Sequence, residues 1–409
     1  MLYTGGAAAK TKVHQETQVT GVLWLQRLKP LRCLQVPADI SAREIPHQVK
    51  RLAEVRKTPF LAINRNLIKR KFEQFQKAIP DARVFYAIKT NSHKRIVQML
   101  HSCGSGFEIS SEDELDLLSR RGVPSQKIIS SNPLKSISFI RAAHNAGVEH
   151  FAFDSREEIG KLAEFAHGSK VYVRLVVSNE GSAWPLSKKF GVETEQAVEL
   201  LAEAASNSLV PYGITFHVGS QCTDASSWVN AIEKSKVVWD MAKTKGLDLR
   251  MLNIGGGFPI EYTSASVPTV DLIAEKMLKS LKRTFPDGVE IFAEPGRTFV
   301  GEAGILVSTV IAKARRNGEN WLYLDVGVFN GLFESTGGIQ YSMITDRGGS
   351  LSKWVVAGPS CDSVDVIATE MDLPELEIGD TVYILSAGAY TTAYASRFNG
   401  FPIPKTYLV

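Results

Sequence analysis

Short apolar runs alternate with longer amphipathic stretches between residue 58 and residue 297. Strands of a parallel sheet give near-continuous apolar runs because both faces are buried, and amphipathic helices between them cover the sheet. Eight such units over about 240 residues match a (β/α)8 barrel. We therefore predict an α/β fold with a TIM-like barrel at residues 58–297, and the spacing leaves an open, doubly wound sheet as the alternative. The eight predicted strands lie within residues 83–90, 106–110, 127–132, 150–155, 170–178, 212–220, 247–258 and 289–296.

The pattern changes after Arg297 to β-rich runs such as ENWLYLDVG and DTVYILSAG, which Gly, Pro and Asp turns separate. We predict that residues 298–409 form a second, mainly β domain and that residues 21–57 join it. Residues 1–20 are polar and lack the apolar core of a secretory signal. We expect them to form a disordered tail.

The 47 basic and 43 acidic residues are spread along the chain without a long basic run, which argues against a nucleic-acid partner. No stretch approaches the roughly 18 apolar residues of a membrane span. The four cysteines show no CxxC spacing, so we expect neither a disulfide framework nor a metal site. These features favour a cytoplasmic protein that works away from membranes.

A lysine ends the apolar strand of RVFYAIKTN. Side chains alternate along a strand, so Phe85, Ala87 and Lys89 share one face. At the rim of a barrel the amine of Lys89 is partly desolvated, which lowers its pKa and suits Schiff-base chemistry. A strand-end lysine that reaches out to solvent is the alternative.

Two further motifs follow predicted strands. NIGGGFP places Gly256 and Gly257 where bare backbone N–H groups can approach a phosphate closely. FHVGS places His217 where its ring could lie against another planar ring, and Ser220 where its hydroxyl could reach a phosphate. A tight turn and a core histidine are the alternatives.

EPGR sets Glu294 at a strand end and Arg297 three residues later. The carboxylate can hold a pyridine nitrogen protonated, and the guanidinium can bind phosphate; a surface ion pair is the alternative. GPSCD offers Cys361 as an acid beside Asp362, a carboxylate that could bind a cation. The alternative for Cys361 is a buried, inert cysteine.

Seven motifs in this order resemble the motif set of the ornithine, lysine and diaminopimelate decarboxylases, and the match runs from about residue 58 to residue 401. These are the fold-type III enzymes that depend on pyridoxal 5'-phosphate (PLP), and the likeness is greatest to the bacterial lysine/ornithine branch. The resemblance implies PLP-dependent decarboxylation of a basic L-amino acid. It also implies a head-to-tail homodimer whose active sites are shared between subunits. The motifs are FYAIKTN, GFEISSEDEL, FHVGSQ, NIGGGFP, EPGR, GPSCDSVDV and GAYTTAYASRFNGF.

The resemblance also implies a role for each matched residue. Lys89 would carry the cofactor, Glu294 would pair with its pyridine nitrogen, and His217 would stack on its ring. Cys361 would donate a proton and, with Asp362, would reach in from the neighbouring subunit. The remaining cofactor-binding residues implied are Glu108, Arg174, Ser220, Gly256, Gly257, Gly296, Arg297 and Tyr390, and the remaining substrate-binding residues are Tyr341 and Phe398.

The motifs identify the cofactor more closely than they identify the substrate. Cys361 followed by Asp362 resembles the ornithine/lysine branch, whereas diaminopimelate enzymes usually have Cys-Glu. Tyr341-Ser342 stands where eukaryotic ornithine enzymes have Tyr-Asp, and acidic residues expected just before it appear as Gly337 and Gly338. The pocket is therefore expected to take lysine, ornithine or a modified relative, with diaminopimelate as the alternative.

Two rival functions remain open from the residues. An alanine-type racemase would share the barrel and the cofactor, but it would carry a tyrosine as its second acid or base. An inactive regulatory homologue, like the antizyme inhibitors, would bind a partner instead of turning over. Retention of Lys89, Glu294, Arg297 and Cys361 argues against the second rival.

Overall fold

The computed structural model describes residues 44–186, 188–263 and 266–409. The predictions for residues 1–20, and for the part of 21–57 that precedes residue 44, lie outside the described residues. The described helices are α1 (His47–Val55), α2 (Arg65–Ala78), α3 (Lys94–Ser102), α4 (Glu112–Ser119), α5 (Ile137–Asn145), α6 (Arg156–Phe165), α7 (Thr194–Ser206), α8 (Ser226–Thr244), α9 (Val270–Thr284) and α10 (Arg297–Val300).

The strands are numbered in chain order across two large sheets and one small ribbon. They are β1 (Phe60–Ile63), β2 (Ala82–Ala87), β3 (Gly106–Glu108), β4 (Ile128–Ile129), β5 (His150–Phe153), β6 (Lys170–Arg174), β7 (Ser182–Trp184), β8 (Val210–Thr215), β9 (Ser220–Cys222), β10 (Met251–Asn253), β11 (Glu290–Ala293), β12 (Gly304–Arg316), β13 (Glu319–Leu324), β14 (Met343–Thr345), β15 (Ser352–Ala357), β16 (Val366–Leu373), β17 (Thr381–Ile384) and β18 (Lys405–Leu408).

Eight parallel strands form a closed barrel in the order β4-β3-β2-β11-β10-β8-β6-β5. A parallel bridge between Ser130 and Phe151 joins the two ends of this order. Ser130 N donates to His150 O at 3.0 Å, and Ala152 N donates to Ser130 O at 2.8 Å. The structure therefore confirms all eight predicted strands, and closure excludes the open, doubly wound sheet.

The strand alternation predicted for RVFYAIKTN holds in the barrel. Phe85 belongs to an aromatic-rich cluster in the barrel interior, and Val84, Tyr86 and Ile88 belong to the larger core that includes the surrounding helices. Lys89 itself lies in a 3-10 helix, Ile88–Thr90, that directly follows β2. The strand thus ends just before the residue that carries the predicted chemistry.

The second domain is a mainly β structure built on a sheet of order β14-β17-β12-β13-β15-β16. β1 pairs antiparallel with β12 and parallel with β18 in the same domain. The predicted start of the barrel at residue 58 is therefore wrong, because β1 is a strand of the second sheet. Its four residues are all buried, and such an apolar run does not reveal which strands lie beside it.

Helix α1 packs against the second sheet through Val49, which shares a cluster with Phe60, Val307 and Tyr383. The described part of residues 21–57 therefore contacts this domain. No helix among the residues that the structure describes is long and apolar enough to cross a membrane.

His150 begins β5 with its ring against Tyr212 and Phe292, at centroid distances of 5.2 and 5.7 Å. Its side chain is buried, and its Nε2 has no hydrogen-bond partner among the described residues. Burial, reinforced by Lys170 and Arg83, lowers the pKa of His150 to about 4. The folded state therefore keeps this imidazole neutral where the unfolded chain would protonate it.

This pKa predicts an acid-sensitive fold. Because the folded pKa lies below the unfolded value of about 6.5, stability is present above pH 6.5 and is lost as the pH falls toward 4. At pH 5 the wild type should lose about 1–2 kcal/mol of unfolding free energy through His150 alone. Urea unfolding of the wild type and His150→Gln at pH 7.5 and pH 5 should show a smaller loss in the variant. His167→Gln, at an exposed histidine, is the control, and an equal loss in all three proteins would contradict the assignment.

Candidate active site

A recess opens at the carboxyl ends of the barrel strands. This is the end of a barrel where loops after several strands can place side chains around one ligand. Nine of the eleven residues predicted to bind the cofactor line it. Its lining residues are Ala87, Lys89, His217, Ser220, Gly256, Gly257, Phe258, Glu294, Gly296, Arg297 and Tyr390.

Glu108, at the end of β3, binds the amine of Lys89. Lys89 Nζ lies 2.9 Å from Glu108 Oε2, and the Glu108 side chain is only 1% exposed whereas that of Lys89 is 51% exposed. Ser110 Oγ donates to Glu108 Oε1 at 3.3 Å. The carboxylate is therefore fixed in the protein while the lysine amine faces the open recess.

Desolvation by the surrounding protein acts to lower the pKa of Lys89, but Glu108 and Tyr390 outweigh it and the net pKa is raised above its ordinary value. The expected lowering of this pKa was therefore wrong. A strand pattern reveals desolvation, but it does not reveal a carboxylate that the next strand brings within hydrogen-bond distance. Lys89 is consequently an ammonium ion that Glu108 holds in place.

Glu114 was not among the residues singled out from the sequence. Its Oε2 accepts a hydrogen bond from Ser110 N at 2.7 Å. Burial, followed by the charge of Glu108, raises the pKa of Glu114 to about 7. The capping serine Ser111 before α4 marks the position of this helix end, but no signal in the sequence marks its acidic residue as titrating near neutrality.

Glu294 follows β11 at the floor of the recess. Its Oε1 accepts hydrogen bonds from Ser131 Oγ and Asn253 Nδ2, and the Ser131 hydroxyl also contacts Tyr172 Oη at 2.6 Å. Burial, together with the charge of Glu108, raises the pKa of Glu294. A buried carboxyl of this kind gains stabilisation from a cationic partner, such as a protonated ring nitrogen.

His217 presents a neutral ring to the recess. Its Nδ1 accepts a hydrogen bond from Gly219 N at 3.0 Å, which leaves the ring proton on Nε2. Burial, assisted by the charges of Arg174 and Lys89, lowers the pKa of His217 well below its ordinary value. A flat, uncharged imidazole is suited to stacking on an aromatic ring.

Arg174, at the end of β6, does not line the recess. Its guanidinium lies over the ring of Phe190, 5.6 Å from the centroid. Its Nε is buried and has no hydrogen-bond partner in the part of the chain that the structure describes. Burial lowers its pKa, which nearby Glu294 and Asp154 oppose.

The glycines predicted to approach a phosphate lie where no side chain fits. A Cβ on Gly256 would lie 2.6 Å from Glu294 O, and a Cβ on Gly257 would lie 2.4 Å from Gly219 O. Gly257 also has a φ of +103°, which other residues rarely adopt. A Cβ on Gly296 would lie 2.2 Å from Thr90 Oγ1. The backbone here is kept bare and close to the recess.

Arg297, at the start of α10, is buried beside these glycines. Its guanidinium donates to Ser220 Oγ from Nε at 3.3 Å and from Nη2 at 3.0 Å. It also donates to Tyr262 Oη and forms a bidentate ion pair with Glu334. The ring of Tyr390 lies 4.9 Å from the guanidinium carbon. Tyr262 and Glu334 were not found from the sequence, since both are remote from Arg297 along the chain.

Cys361, Asp362 and Phe398 form a second group on the β domain. All three are exposed, and none of them lines the recess of the same chain. Cys361 Sγ and its backbone N each donate to Asn399 Oδ1 at 3.2 Å. The Phe398 ring packs on Phe329 at a centroid distance of 4.6 Å. The chain therefore carries two separate groups of predicted site residues.

Asp365 holds the loop that carries Cys361. Its Oδ1 accepts from Val328 N at 2.7 Å, and its Oδ2 accepts from Ser360 N at 2.9 Å. A Cβ on Gly358 would lie 2.2 Å from this carboxylate. The motif GPSCDSVD thus contains a carboxylate, Asp365, that holds the loop in place, and the sequence analysis did not identify this role.

Tyr341 was predicted to contact substrate, and the structure does not bring it to the recess. It is buried, and its ring packs edge-on against Tyr262 at a centroid distance of 5.4 Å. Its neighbour Ser342 donates to Tyr262 O at 2.6 Å. Tyr341 therefore supports the residue that holds Arg297 and lies within the protein core.

The recess fits PLP, the cofactor that the motif resemblance implies. The bare glycines, the Ser220 hydroxyl and the buried Arg297 would hold its phosphate, because neutral donors and a guanidinium bind oxyanions well. Glu294 provides a buried carboxyl for the pyridine nitrogen, and His217 a flat neutral ring for its face. Lys89 is the amine that faces the same space.

Comparisons with known proteins agree with this site. The family model described as "Pyridoxal-dependent decarboxylase, pyridoxal binding domain" matches residues 65–301. Lysine/ornithine decarboxylase of Selenomonas ruminantium is 36% identical over 368 residues, which cover 88% of this chain and 92% of that protein. Ornithine decarboxylase of Mus musculus is 34% identical over 84% of this chain and 78% of its own. Antizyme inhibitor 2 of Xenopus laevis is 34% identical over 81% and 76%, respectively.

Solved structures show the same similarity in three dimensions. The lysine decarboxylase from Selenomonas ruminantium superimposes with a TM-score of 0.84 at 34% identity, covering 90% of this chain and 96% of that one. The lysine/ornithine decarboxylase from Vibrio vulnificus, complexed with putrescine, gives a TM-score of 0.82 at 33% identity, with coverage of 89% and 97%. The chain belongs to the family of pyridoxal-dependent decarboxylases, and its cofactor is pyridoxal 5'-phosphate.

Proposed function

We propose that this protein decarboxylates a basic L-amino acid, lysine or ornithine, to the corresponding amine and carbon dioxide. The observation that carries the proposal is the meeting of Lys89, His217, Ser220, Glu294 and Arg297 around one recess. These five side chains come from the segments that follow three different barrel strands: Lys89 follows β2, His217 and Ser220 follow β8, and Glu294 and Arg297 follow β11. Relatives named for lysine and ornithine decarboxylation support the substrate class.

When bound, PLP provides an electron sink that takes up the electron pair left by a departing carboxylate. Glu294 would keep a proton on the pyridine nitrogen, and the hydrogen bonds from Ser131 and Asn253 fix the carboxylate for that role. His217 would cover one face of the ring. Lys89 would bind the cofactor covalently and return to it at the end of each turnover, with Glu108 receiving its ammonium form.

Cys361 Sγ would deliver the proton to the substrate carbon after carbon dioxide has left. In this chain Cys361, Asp362 and Phe398 lie away from the recess, and the apolar Phe398 and Val364 side chains are 40% and 59% exposed. A second copy related by a twofold axis would cover them and bring them to its own recess. We therefore place two shared active sites in a head-to-tail homodimer.

Asp362 of the partner subunit is the carboxylate proposed for the distal ammonium of the substrate. The positions where acidic residues were expected, Gly337 and Gly338, do not offer an equivalent group. A Cβ on Gly337 would lie 1.9 Å from the indole of Trp184, so a larger residue does not fit there. Recognition of the distal amine then depends on Asp362, at the end of an exposed loop.

A cytoplasmic location agrees with this chemistry. The described cysteines Cys103, Cys222 and Cys361 are free thiols. A reducing compartment would keep Cys361 able to donate its proton.

The function predicts carbon dioxide release from a basic amino acid. Purified protein with PLP should release carbon dioxide from L-lysine or L-ornithine faster than from arginine, diaminopimelate or N-modified forms. Lys89→Ala should abolish the visible absorbance of lysine-bound cofactor and reduce the rate by at least about a thousandfold, because the covalent anchor is lost.

Each alternative function has a distinct outcome in that assay. Loss of substrate chirality without carbon dioxide would indicate a racemase. Failure to bind PLP would leave a regulatory homologue of the antizyme-inhibitor type and would end the enzyme proposal.

Cys361→Ala tests the proton donor. We expect PLP affinity to change less than about twofold, while amine formation falls at least tenfold and a carbonyl by-product of misplaced protonation appears. Chromatography of products separates the two. Cys103→Ala, at a thiol outside both site groups, is the matched control. Normal amine yield from Cys361→Ala would remove the cysteine from the mechanism.

Mixing two variants that are each impaired in amine formation tests the shared site. Lys89→Ala and Cys361→Ala subunits, dissociated and reassociated together, should regain about one quarter of wild-type amine formation, because hybrid dimers contain one intact site. Each variant reassociated alone is the control. If the mixture forms dimers but regains no activity, both residues act within the same chain.

A further inference from the structure

The guanidinium of Arg297 has no donor left for a new ligand. An arginine side chain carries five N–H donors, and the structure uses all of them. Two point to Ser220 Oγ, one to Tyr262 Oη and two to Glu334. Both Arg297 and Glu334 are buried, with side chains 3% and 4% exposed.

These donors differ in how readily a phosphate could take them over. The end of the guanidinium, Nη1 and Nη2, holds the two Glu334 oxygens in a planar, bidentate pair, which is a strong arrangement. The side of the guanidinium, Nε and Nη2, shares the single Ser220 oxygen at 3.3 and 3.0 Å. The two bonds share one neutral acceptor, and the bond from Nε is long at 3.3 Å, so they are weaker than the ion pair with Glu334.

Ser220 faces the recess next to the bare glycines. Because its oxygen accepts from Arg297, its hydroxyl hydrogen remains available to donate. An anion in the recess beside Ser220 would therefore accept hydrogen bonds from Nε and Nη2 of Arg297 and from this hydroxyl. Glu334 lies on the other side of Arg297 and fixes the angle at which the guanidinium stands.

Glu334 reaches this position from the β domain. It lies in a 3-10 helix, Phe333–Gly337, within the second domain. Tyr262, in the loop after β10, also accepts a hydrogen bond from Nη1 of Arg297. Burial keeps the whole group out of water, so the ion pair is not weakened by solvent as a surface pair would be.

We propose that Glu334 is a positioning residue for the cofactor phosphate: it occupies the end of the Arg297 guanidinium and so aims the side of that guanidinium, with Ser220, at the phosphate. Glu334 does not itself touch the phosphate. The inference rests on the proposed placement of the phosphate among Ser220, Gly256 and Gly257, and it is independent of which amino acid is the substrate.

The test compares PLP with pyridoxal, which lacks the phosphate. Apoprotein is titrated with each, and binding is followed by absorbance. In Glu334→Gln the amide turns an N–H toward Arg297, and the bidentate pair is lost. We expect the Kd for PLP to rise roughly tenfold, the loss typical of a charged hydrogen-bond pair, and the Kd for pyridoxal to change less than about twofold. Glu334→Asp, which keeps the charge but shortens its reach, should lie between wild type and Glu334→Gln.

Two further variants keep the test decisive. Tyr262→Phe removes one bond to Arg297 and leaves Glu334 in place, so it should weaken PLP binding less than Glu334→Gln does while again sparing pyridoxal. Glu203→Gln breaks an ion pair with Arg156, 3.0 Å long, between helices α7 and α6, neither of which lines the recess, and should change neither affinity. Thermal melting of each apoprotein reports whether the fold is intact, and Tyr262→Phe carries the test if Glu334→Gln does not fold.

Three results would overturn the proposal. Tighter PLP binding by Glu334→Gln would mean that Glu334 competes with the phosphate for Arg297, and unchanged binding would mean that Glu334 has no part in phosphate binding. Equal losses of PLP and pyridoxal affinity would mean that Glu334 serves only the fold. Failure of the wild-type apoprotein to prefer PLP over pyridoxal would instead reject the phosphate site itself.

Discussion

Closure of the parallel barrel is the constraint on which the rest of this structure depends. The bridge between Ser130 and Phe151 joins the first and last strands of the sheet order. In a closed parallel barrel all carboxyl ends of the strands lie on one rim. Lys89, His217, Gly256 and Glu294 each follow a different strand, so closure brings residues from distant parts of the chain around one recess.

Neighbouring charges and burial then set the protonation states of these groups. Glu108 holds Lys89 as an ammonium, and Glu334 neutralises Arg297. Burial leaves His217 neutral and raises the pKa of Glu294. Two cations are thus matched by two carboxylates, while the neutral imidazole and the remaining carboxyl can bind a planar, partly cationic ligand. The protonation states of these groups therefore suit the binding of PLP.

The residues of the proposed reaction are divided between two surfaces. The recess carries the groups that would hold the cofactor, and the loop organised by Asp365 carries Cys361 and Asp362 at an exposed surface. In the proposed homodimer, each site would be completed by the second copy. The exposed apolar side chains of Val364 and Phe398 beside that loop favour such pairing, since burial of apolar area drives association.

The sequence by itself determined the eight strands, the second β domain, the cofactor family and most residues of the recess. It did so because strand periodicity and ordered motifs are local patterns. Contacts between distant segments were decided only by tertiary structure. Four examples show this. Strand β1 joins the second sheet, and Glu108 raises the pKa of Lys89. Tyr341 lies in the core, and Glu334 forms an ion pair with Arg297. No local pattern records which strand lies beside another, or which carboxylate lies beside a given cation. For this reason the tertiary structure, and not the sequence, revealed how Arg297 is held.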